Sequence, residues 1–192
     1  MMTRVVLSIG SNLGDRLAWL QSAVDGLGDA VVAVSPVYDT VPWGAVEQRS
    51  FLNAVVIADG PAYDTKAWLC RAQELERNAG RVRGQRWGAR TLDVDLISCY
   101  QTSGATTGAV EVITCESNLT LPHPRAHLRA FVLVPWLAVD SDAELTVAGR
   151  AQRVDRLLAE MEPTEREGVR LTNLTLKLKR SSPARPVSPK SD

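Results

Sequence analysis

Lysine is scarce in this 192-residue chain. It occurs at positions 66, 177, 179 and 190, and the other basic residues are arginines. No lysine therefore lies between residues 67 and 176. A P-loop binds phosphate with a lysine that follows a glycine-rich turn, so this kind of nucleotide site is excluded over most of the chain. A phosphate site within that range has to use arginine, histidine or backbone N–H groups.

Cysteine, net charge and long apolar runs are also sparse. The three cysteines, Cys70, Cys99 and Cys115, are scattered and odd in number, which is untypical of a zinc site or a disulfide framework. Acidic and basic residues balance at 22 each, so no overall field favours nucleic acid or a membrane surface. No run approaches the roughly 20 apolar residues of a membrane-spanning helix, and the N-terminus lacks a signal-peptide pattern. We therefore expect a cytoplasmic protein.

The order of the predicted helices and strands indicates an α+β fold. Consecutive strands without a crossover between them have to pair antiparallel. The pattern therefore predicts a ferredoxin-like split βαβ core, with an antiparallel sheet flanked by helices, in a single domain over residues 1–171. A basic tail rich in serine and proline, residues 172–192, is expected to be disordered. The predicted strands cover residues 5–9, 31–38, 51–58 and 92–97. Two helices are predicted to begin after N-caps, the first at Ser11 or Asn12 and the second at Asp64 or Thr65. A third helix is predicted from Phe131, with Pro135 in its first turn, and a fourth over residues 154–161.

The most distinctive stretch runs from Gly80 to Leu96, GRVRGQRWGARTLDVDL. Four arginines interleaved with glycines precede Asp93 and Asp95. Successive side chains of a strand point to opposite faces, so the two carboxylates share a face about 7 Å apart. Two such carboxylates can hold Mg²⁺ together with phosphate oxygens, and neighbouring arginines can bind the rest of a polyphosphate. The pattern predicts a phosphoryl-transfer site without a P-loop; the alternative is a solvated loop of salt bridges beside a strand.

Other polar residues admit two interpretations from the pattern alone. Gly10 and Gly14 form either a weak nucleotide-binding glycine loop or a tight turn between a strand and a helix. Asn53, inside an apolar strand, either caps a neighbouring turn or hydrogen-bonds a flat heterocycle. Gln73 and Glu76 lie three residues apart on one helix face, where they contact a common ligand or simply face solvent.

Five motifs follow one another between residue 5 and about residue 140. They are LSIGSNLGDR (7–16), TVPWG (40–44), FLNAVV (51–56), RAQELERNAGRVRGQRWGARTLDVDLI (71–97) and LPHPRAHLRAFVL (121–133). Through these motifs the chain resembles the 6-hydroxymethyl-7,8-dihydropterin pyrophosphokinases of folate biosynthesis, in their actinobacterial, mycobacterial form. The resemblance implies an enzyme that transfers the pyrophosphoryl group of ATP to the hydroxymethyl oxygen of the pterin and releases AMP.

The resemblance also implies a role for individual residues on the nucleotide side. Asp93 and Asp95 are expected to ligate two Mg²⁺ ions, which bind together with ATP. Arg81, Arg83 and Arg90 are expected to belong to a mobile catalytic loop, and Asp95 is the nearest candidate base. The residues expected to contact ATP are Gln73, Glu76, Arg83, Ile97, Thr120, His123 and Arg129.

On the pterin side, the resemblance implies that the rings of Phe51 and Phe131 sandwich the substrate. Asn53 is expected to hydrogen-bond the ring edge. Backbone groups of Thr40, Val41 and Trp43 are expected to assist it. The expected partners are thus ATP and 6-hydroxymethyl-7,8-dihydropterin, without nucleic acid or membrane, and we expect a monomer.

Two other functions use the same residues. A nucleic-acid-binding ferredoxin-like module would place Phe51 and the arginines on bases and phosphates. The few aromatic residues on adjacent strands and the zero net charge speak against it. A metal-dependent nuclease would use Asp93 and Asp95. Formation of AMP from ATP only when the reduced pterin is present distinguishes the pyrophosphokinase from both.

Overall fold

The computed structural model describes residues 2–42, 48–61, 63–80, 90–102 and 109–178. The helices are α1 (Arg16–Leu27), α2 (Thr65–Asn78), α3 (Ala130–Leu137), α4 (Val154–Glu160) and α5 (Pro163–Glu167). The strands are β1 (Met2–Ser11), β2 (Val31–Val34), β3 (Tyr38–Thr40), β4 (Phe51–Gly60), β5 (Asp93–Thr102), β6 (Val110–Glu111), β7 (Thr114–Cys115), β8 (Thr120–Leu121), β9 (Glu144–Val147), β10 (Arg150–Arg153) and β11 (Val169–Leu171).

Within this described part, seven strands form one antiparallel sheet in the order β11-β3-β4-β1-β5-β6, and β2 pairs with β4 beside β3. The central strands β4, β1 and β5 are ten residues long each, and both faces of the sheet that they form are covered. The helices α1 and α2 pack on one face. The other face carries α3, α4 and β9. The α+β, ferredoxin-like prediction is confirmed.

The strand predicted over residues 31–38 is two strands, β2 and β3. Pro36 lies between them and has no N–H to donate to the sheet. Ser35 bridges the gap, since its N–H donates to the Val55 carbonyl and its hydroxyl accepts from the Val55 N–H, both at 2.9 Å. The interruption keeps both short strands against β4 and places Thr40 at the end of β3 beside Phe51.

Two details of the predicted helices are wrong. Asp15, not Ser11 or Asn12, caps α1, because its side chain accepts from the Ala18 N–H at 3.1 Å. Pro135 is the sixth residue of α3, beyond the first turn, so the carbonyl of Phe131 cannot receive the usual helical hydrogen bond there. The cap predicted at Asp64 is confirmed by a 2.7 Å bond from the Ala67 N–H.

The region after residue 137 contains elements that the sequence pattern did not predict. β9 and β10 form a hairpin whose turn residues, Ala148 and Gly149, have φ of 50° and 78°, as a type I′ turn requires. α5 leads into β11, which extends the sheet at β3. The following residues lie on α1, where Lys177 and Gln21 exchange two hydrogen bonds of 2.8 and 2.9 Å. The domain boundary at residue 171 stays a prediction, and residues 179–192 lie outside the described part.

Candidate active site

The floor of the site is a row of residues across β4, β1 and β5. Asn53, Gly10 and Asp93 are register partners, and Ser8 and Asp95 lie in the next row of the same face. This is the face that α3 covers further along the strands. The two carboxylates thus project from a rigid central strand, as the alternation in the sequence predicted.

Gly10 is part of this floor because a side chain there has no space. A Cβ atom at residue 10 would lie 2.4 Å from Asn53 Oδ1. The Asn53 amide is buried and fixed, since its Nδ2 donates to Thr40 Oγ1 at 2.6 Å. Gly10 therefore lies inside β1, where it makes room for Asn53, and is not part of a turn between a strand and a helix.

Each aspartate faces an arginine. Arg90 Nη1 donates to Asp93 Oδ2. Arg129 Nη1 donates to Asp95 Oδ2 at 2.9 Å, and its guanidinium lies 5.5 Å from the centroid of the Phe131 ring. Arg129 is only 9% exposed, and both Asp95 and the aromatic ring stabilise its buried charge. The arrangement of two carboxylates alternating with two arginines suits a ligand that carries both metal ions and phosphates.

His123 lies at the same end of β5. Its Nε2 is 4.0 Å from Asp95 Oδ2, and its Nδ1 accepts from the Arg125 N–H at 3.1 Å. Burial lowers the pKa of His123, and the attraction of Asp95 for the imidazolium only partly opposes this effect.

Glu76 and His123 contact the edge of β5 that no strand among the described residues covers near the carboxylates. Glu76 Oε1 accepts from the Val94 N–H at 2.9 Å, and the His123 N–H donates to the Ile97 carbonyl at 2.8 Å. Glu76 thus holds the strand between the two aspartates in place. Gln73 and Thr120 are half-buried nearby in sequence, on α2 and β8.

Ile97 follows Asp93 and Asp95 on the same face of β5. Its side chain is fully buried in the core beneath α3. A contact between Ile97 and a nucleotide would therefore use its backbone. The predicted residues Trp43, Arg81 and Arg83 lie outside the described part of the chain.

Asn12 is a site residue that the sequence pattern identified only as a possible helix cap. Its Oδ1 accepts from the Arg90 N–H at 2.7 Å, and its own N–H donates to the Arg90 carbonyl at 3.1 Å. Its Nδ2 donates to Gln48 Oε1 at 3.0 Å and to the Arg49 carbonyl at 3.3 Å. The side chain is buried, so one amide fixes the chain on both sides of the site. A polar residue directly after an apolar strand was the available signal.

On the acceptor side, Phe51 begins β4 and Phe131 lies in the first turn of α3, both half-buried. Val41 is 64% exposed, while its N–H donates to the Gly168 carbonyl at 3.0 Å. A cavity of about 480 Å³ lies beside them; its lining includes Thr40, Val41 and Pro42, Ala130 and Phe131, and Thr164, Glu165, Gly168 and Val169.

The donor set fits magnesium. Asp93 and Asp95 are carboxylates on one face, with side chains 21% and 34% exposed. Across the described residues no group of three or more His, Cys, Asp or Glu side chains is arranged to hold a metal ion. One or two carboxylates are what Mg²⁺ uses when phosphates and water supply its other ligands.

Among the described residues, no helix is long and apolar enough to cross a bilayer.

Comparison with known proteins agrees with this geometry. The family described as 7,8-dihydro-6-hydroxymethylpterin-pyrophosphokinase (HPPK) matches residues 6–141. The chain is 65% identical over 170 residues to the 2-amino-4-hydroxy-6-hydroxymethyldihydropteridine pyrophosphokinase of Mycobacterium tuberculosis, covering 88% of this chain and 90% of that protein. The protein of the same name from Methylorubrum extorquens is 38% identical, with coverages of 88% and 99%.

A solved structure shares the fold. The HPPK-DHPS protein of Plasmodium falciparum superimposes with a TM-score of 0.57 at 12% identity. The match covers 83% of this chain and 44% of that longer chain, so this chain spans less than half of it. At this identity the likeness concerns the fold alone.

Proposed function

Since the chain belongs to the HPPK family, we propose that it transfers the pyrophosphoryl group of ATP to the hydroxymethyl group of 6-hydroxymethyl-7,8-dihydropterin. The observation that carries the proposal is the row of Asn53, Gly10 and Asp93 across three strands. It supports the proposal because an amide that can hydrogen-bond a heterocycle and a carboxylate that can bind a metal ion lie on one rigid face. The products are AMP and the pterin diphosphate.

In the reaction the hydroxymethyl oxygen forms a bond to the β-phosphorus of ATP. The bond between that phosphorus and the oxygen bridging to the α-phosphate breaks, and AMP leaves with that oxygen. The hydroxyl proton departs toward solvent or Asp95. Catalysis of such a transfer consists mainly of positioning and charge neutralisation, which a fixed set of aspartates and arginines supplies.

Asp93 and Asp95 would hold two Mg²⁺ ions. When bound, these ions neutralise the phosphates and make the hydroxymethyl group more acidic. Arg90 and Arg129 pair with the same carboxylates in the ligand-free chain. Their guanidiniums are therefore close enough to the metal position to bind phosphate oxygens once the carboxylates have bound the ions.

We extend the proposal to the other predicted site residues. Gln73, Glu76, Thr120 and His123, with the backbone of Ile97, border the nucleotide along the edge of β5. Asn53 binds the pterin edge, and Phe51 and Phe131 supply the ring faces. Arg81, Arg83 and Trp43 keep the roles that the resemblance implies. A monomeric state and a cytoplasmic location stay predictions; sedimentation velocity tests the first.

The test is a product assay. The protein with ATP, Mg²⁺ and the reduced pterin is expected to form AMP, and to form none when pterin is absent. Asp95→Asn keeps the shape and removes the charge, so turnover is expected to fall by about 100-fold or more. Asp142→Asn, at a side chain that is 85% exposed and paired with Arg153, is the matched control and should leave turnover unchanged.

Two results would contradict the proposal. Absence of AMP with both substrates present excludes the pyrophosphokinase. Equal formation of AMP with and without pterin indicates a hydrolase. Nuclease activity that depends on Asp93 and Asp95 would support the metal-dependent alternative, which neither the family nor the balanced charge favours.

A further inference from the structure

Arg16, the first residue of α1, contacts three polar groups through a single nitrogen. Its Nη1 donates to the Ser50 carbonyl at 2.9 Å, to Ser50 Oγ at 3.2 Å and to Asp39 Oδ2 at 3.3 Å. Ser50 Oγ in turn donates to the same Asp39 oxygen at 3.0 Å. The Arg16 side chain is only 18% exposed, so solvent screens these bonds less than those of a surface ion pair. We call Arg16, Asp39 and Ser50 the Arg16 cluster.

The Arg16 cluster joins β3 and β4 at the point where the pairing of these strands ends. Asp39 lies in β3, and Ser50 immediately precedes β4. The last register pair between the two strands is Thr40 with Phe51, so Ser50 lies one residue beyond it. The cluster therefore holds the start of β4 where the sheet itself no longer does.

The Arg16 cluster lies on the opposite face of the sheet from the acceptor side chains. Asp39 and Leu52 are register partners, and Leu52 packs in the core under α1 and α2. Alternation directs the side chains of Thr40, Phe51 and Asn53 to the other face. On that face the Asn53 amide donates to Thr40 Oγ1 at 2.6 Å. The arginine thus fixes, from behind, the backbone positions that carry the ring and the amide.

Asn12 holds the two residues directly before the cluster. Its Nδ2 donates to Gln48 Oε1 at 3.0 Å and to the Arg49 carbonyl at 3.3 Å. Asn12 also binds Arg90 on the nucleotide side, whereas the contacts of Arg16 described above lie on the acceptor side. A substitution of Arg16 therefore tests the acceptor side by itself.

We infer that Arg16 is a positioning residue for the acceptor side of the site. Through its cluster it fixes the start of β4, where Phe51 and Asn53 lie. A site that is ordered before binding loses less conformational freedom when its ligand arrives. Without this arginine, part of the binding free energy is used to order the start of β4, and pterin affinity falls. The inference rests on the proposed function, because the pterin contacts of Phe51 and Asn53 belong to that proposal.

The test measures pterin affinity by calorimetry, with the full chain saturated by a non-hydrolysable ATP analogue and Mg²⁺. Arg16→Met keeps an apolar stem and removes the donors, and it should weaken the binding of 6-hydroxymethyl-7,8-dihydropterin by about tenfold. The affinity for the ATP analogue, measured without pterin, should change by less than about twofold. In steady-state assays KM for the pterin should rise, whereas kcat should change by less than about threefold, because the cluster does not touch the carboxylates.

Two further variants separate positioning from stability. Arg16→Lys again provides several donors on one nitrogen, so it should bind the pterin within about threefold of the unmodified chain. Arg4→Met is the matched control, since Arg4 forms a two-bond ion pair of 2.7 and 2.8 Å with Asp59 at the opposite end of β4. Its pterin affinity should stay within about twofold of the unmodified chain. If Arg16→Met does not fold by circular dichroism, Arg16→Gln, whose amide is too short to reach the cluster, replaces it with the same expected loss.

Several results would overturn the inference while the proposed function stands. Unchanged pterin affinity in a folded Arg16→Met chain with a lowered Tm makes Arg16 merely structural. Equal losses of pterin and ATP-analogue affinity, or the same pterin loss in Arg4→Met, indicate a general disturbance of the fold. Arg16→Lys that binds the pterin no better than Arg16→Met contradicts a role of the donors. Absence of pterin binding by the unmodified chain contradicts both the inference and the proposed function.

Discussion

Gly10→Ala is the substitution whose effect the structure determines most sharply. Replacing a glycine inside a strand by alanine ordinarily stabilises a protein by about 0.5–1 kcal/mol, because the unfolded chain loses freedom. Here the added Cβ would lie 2.4 Å from Asn53 Oδ1, against at least 3.4 Å for an ordinary contact. The amide has to move by about 1 Å, and its 2.6 Å bond to Thr40 Oγ1 holds it in place.

The expected cost combines two terms. Overpacking of this size destabilises by about 1–3 kcal/mol. Loss or distortion of the buried hydrogen bond between Asn53 and Thr40 adds about 1 kcal/mol. The free energy of unfolding should therefore fall by about 2–4 kcal/mol, which lowers Tm by about 5–15 °C for a chain of this size. Because the displaced amide is the proposed pterin contact, pterin affinity should also fall by about ten- to a hundredfold, with ATP affinity unchanged.

A double-mutant cycle supplies the control. In an Asn53→Ala background the obstructing oxygen is absent, so Gly10→Ala should change the free energy of unfolding by less than about 0.5 kcal/mol. Urea unfolding gives the four stabilities, and calorimetry gives the pterin affinities of the two chains that retain Asn53. An equal penalty in both backgrounds, or a Gly10→Ala chain as stable as its parent, refutes the steric reasoning.

Three further predictions follow from other contacts. Asn12→Ala removes the acceptor of the part-buried Arg90 N–H and should lower the free energy of unfolding by about 1–3 kcal/mol and turnover by tenfold or more. Loss of stability with normal turnover would make Asn12 purely structural. Burial lowers the pKa of His123, so an NMR titration should give a pKa below the ordinary 6.5. Below pH 6.5 the folded chain then binds fewer protons than the unfolded chain. The free energy of unfolding should therefore fall as the pH drops below 6.5. His123→Gln should flatten that part of the pH–stability curve. Burial raises the pKa of the Cys99 thiol to about 12. A thiol reagent at pH 8 should therefore modify the exposed Cys70 and Cys115 quickly, and Cys99 only after the chain unfolds. Rapid labelling of all three thiols in the folded chain would contradict this prediction.

The sequence alone sufficed for the elements that form the centre of the fold. Alternating or continuous apolar residues predicted β1, β4 and β5, and the Asp64 cap placed α2. The alternation in LDVDL placed Asp93 and Asp95 on one face without reference to any other part of the chain. Such features are local, since side-chain periodicity follows directly from strand and helix geometry.

Elements with weak local signals were missed. α5 and β11 are short, and β11 exists because β3 offers it a free edge. In the turn of the β9–β10 hairpin, Ala148 has φ of 50°. Alanine rarely adopts a positive φ, so its presence does not predict a turn of this type. Alternation places Ile97 on the face of Asp93 and Asp95, but only the folded chain shows that α3 buries its side chain there.

The amino-acid sequence by itself determined the chemistry of this protein: the residue types, the two carboxylates at strand spacing, the absence of a P-loop lysine and the family to which the motifs belong. Tertiary structure alone decided which groups meet. The Asn53 side chain occupies the space beside Gly10 because these two residues are register partners on β1 and β4. Asn12 hydrogen-bonds Arg90, although the two residues are 78 positions apart in the sequence. The physical reason is that hydrogen bonds and steric exclusion act over a few ångströms between atoms, and only the folded chain brings residues distant in sequence within that range.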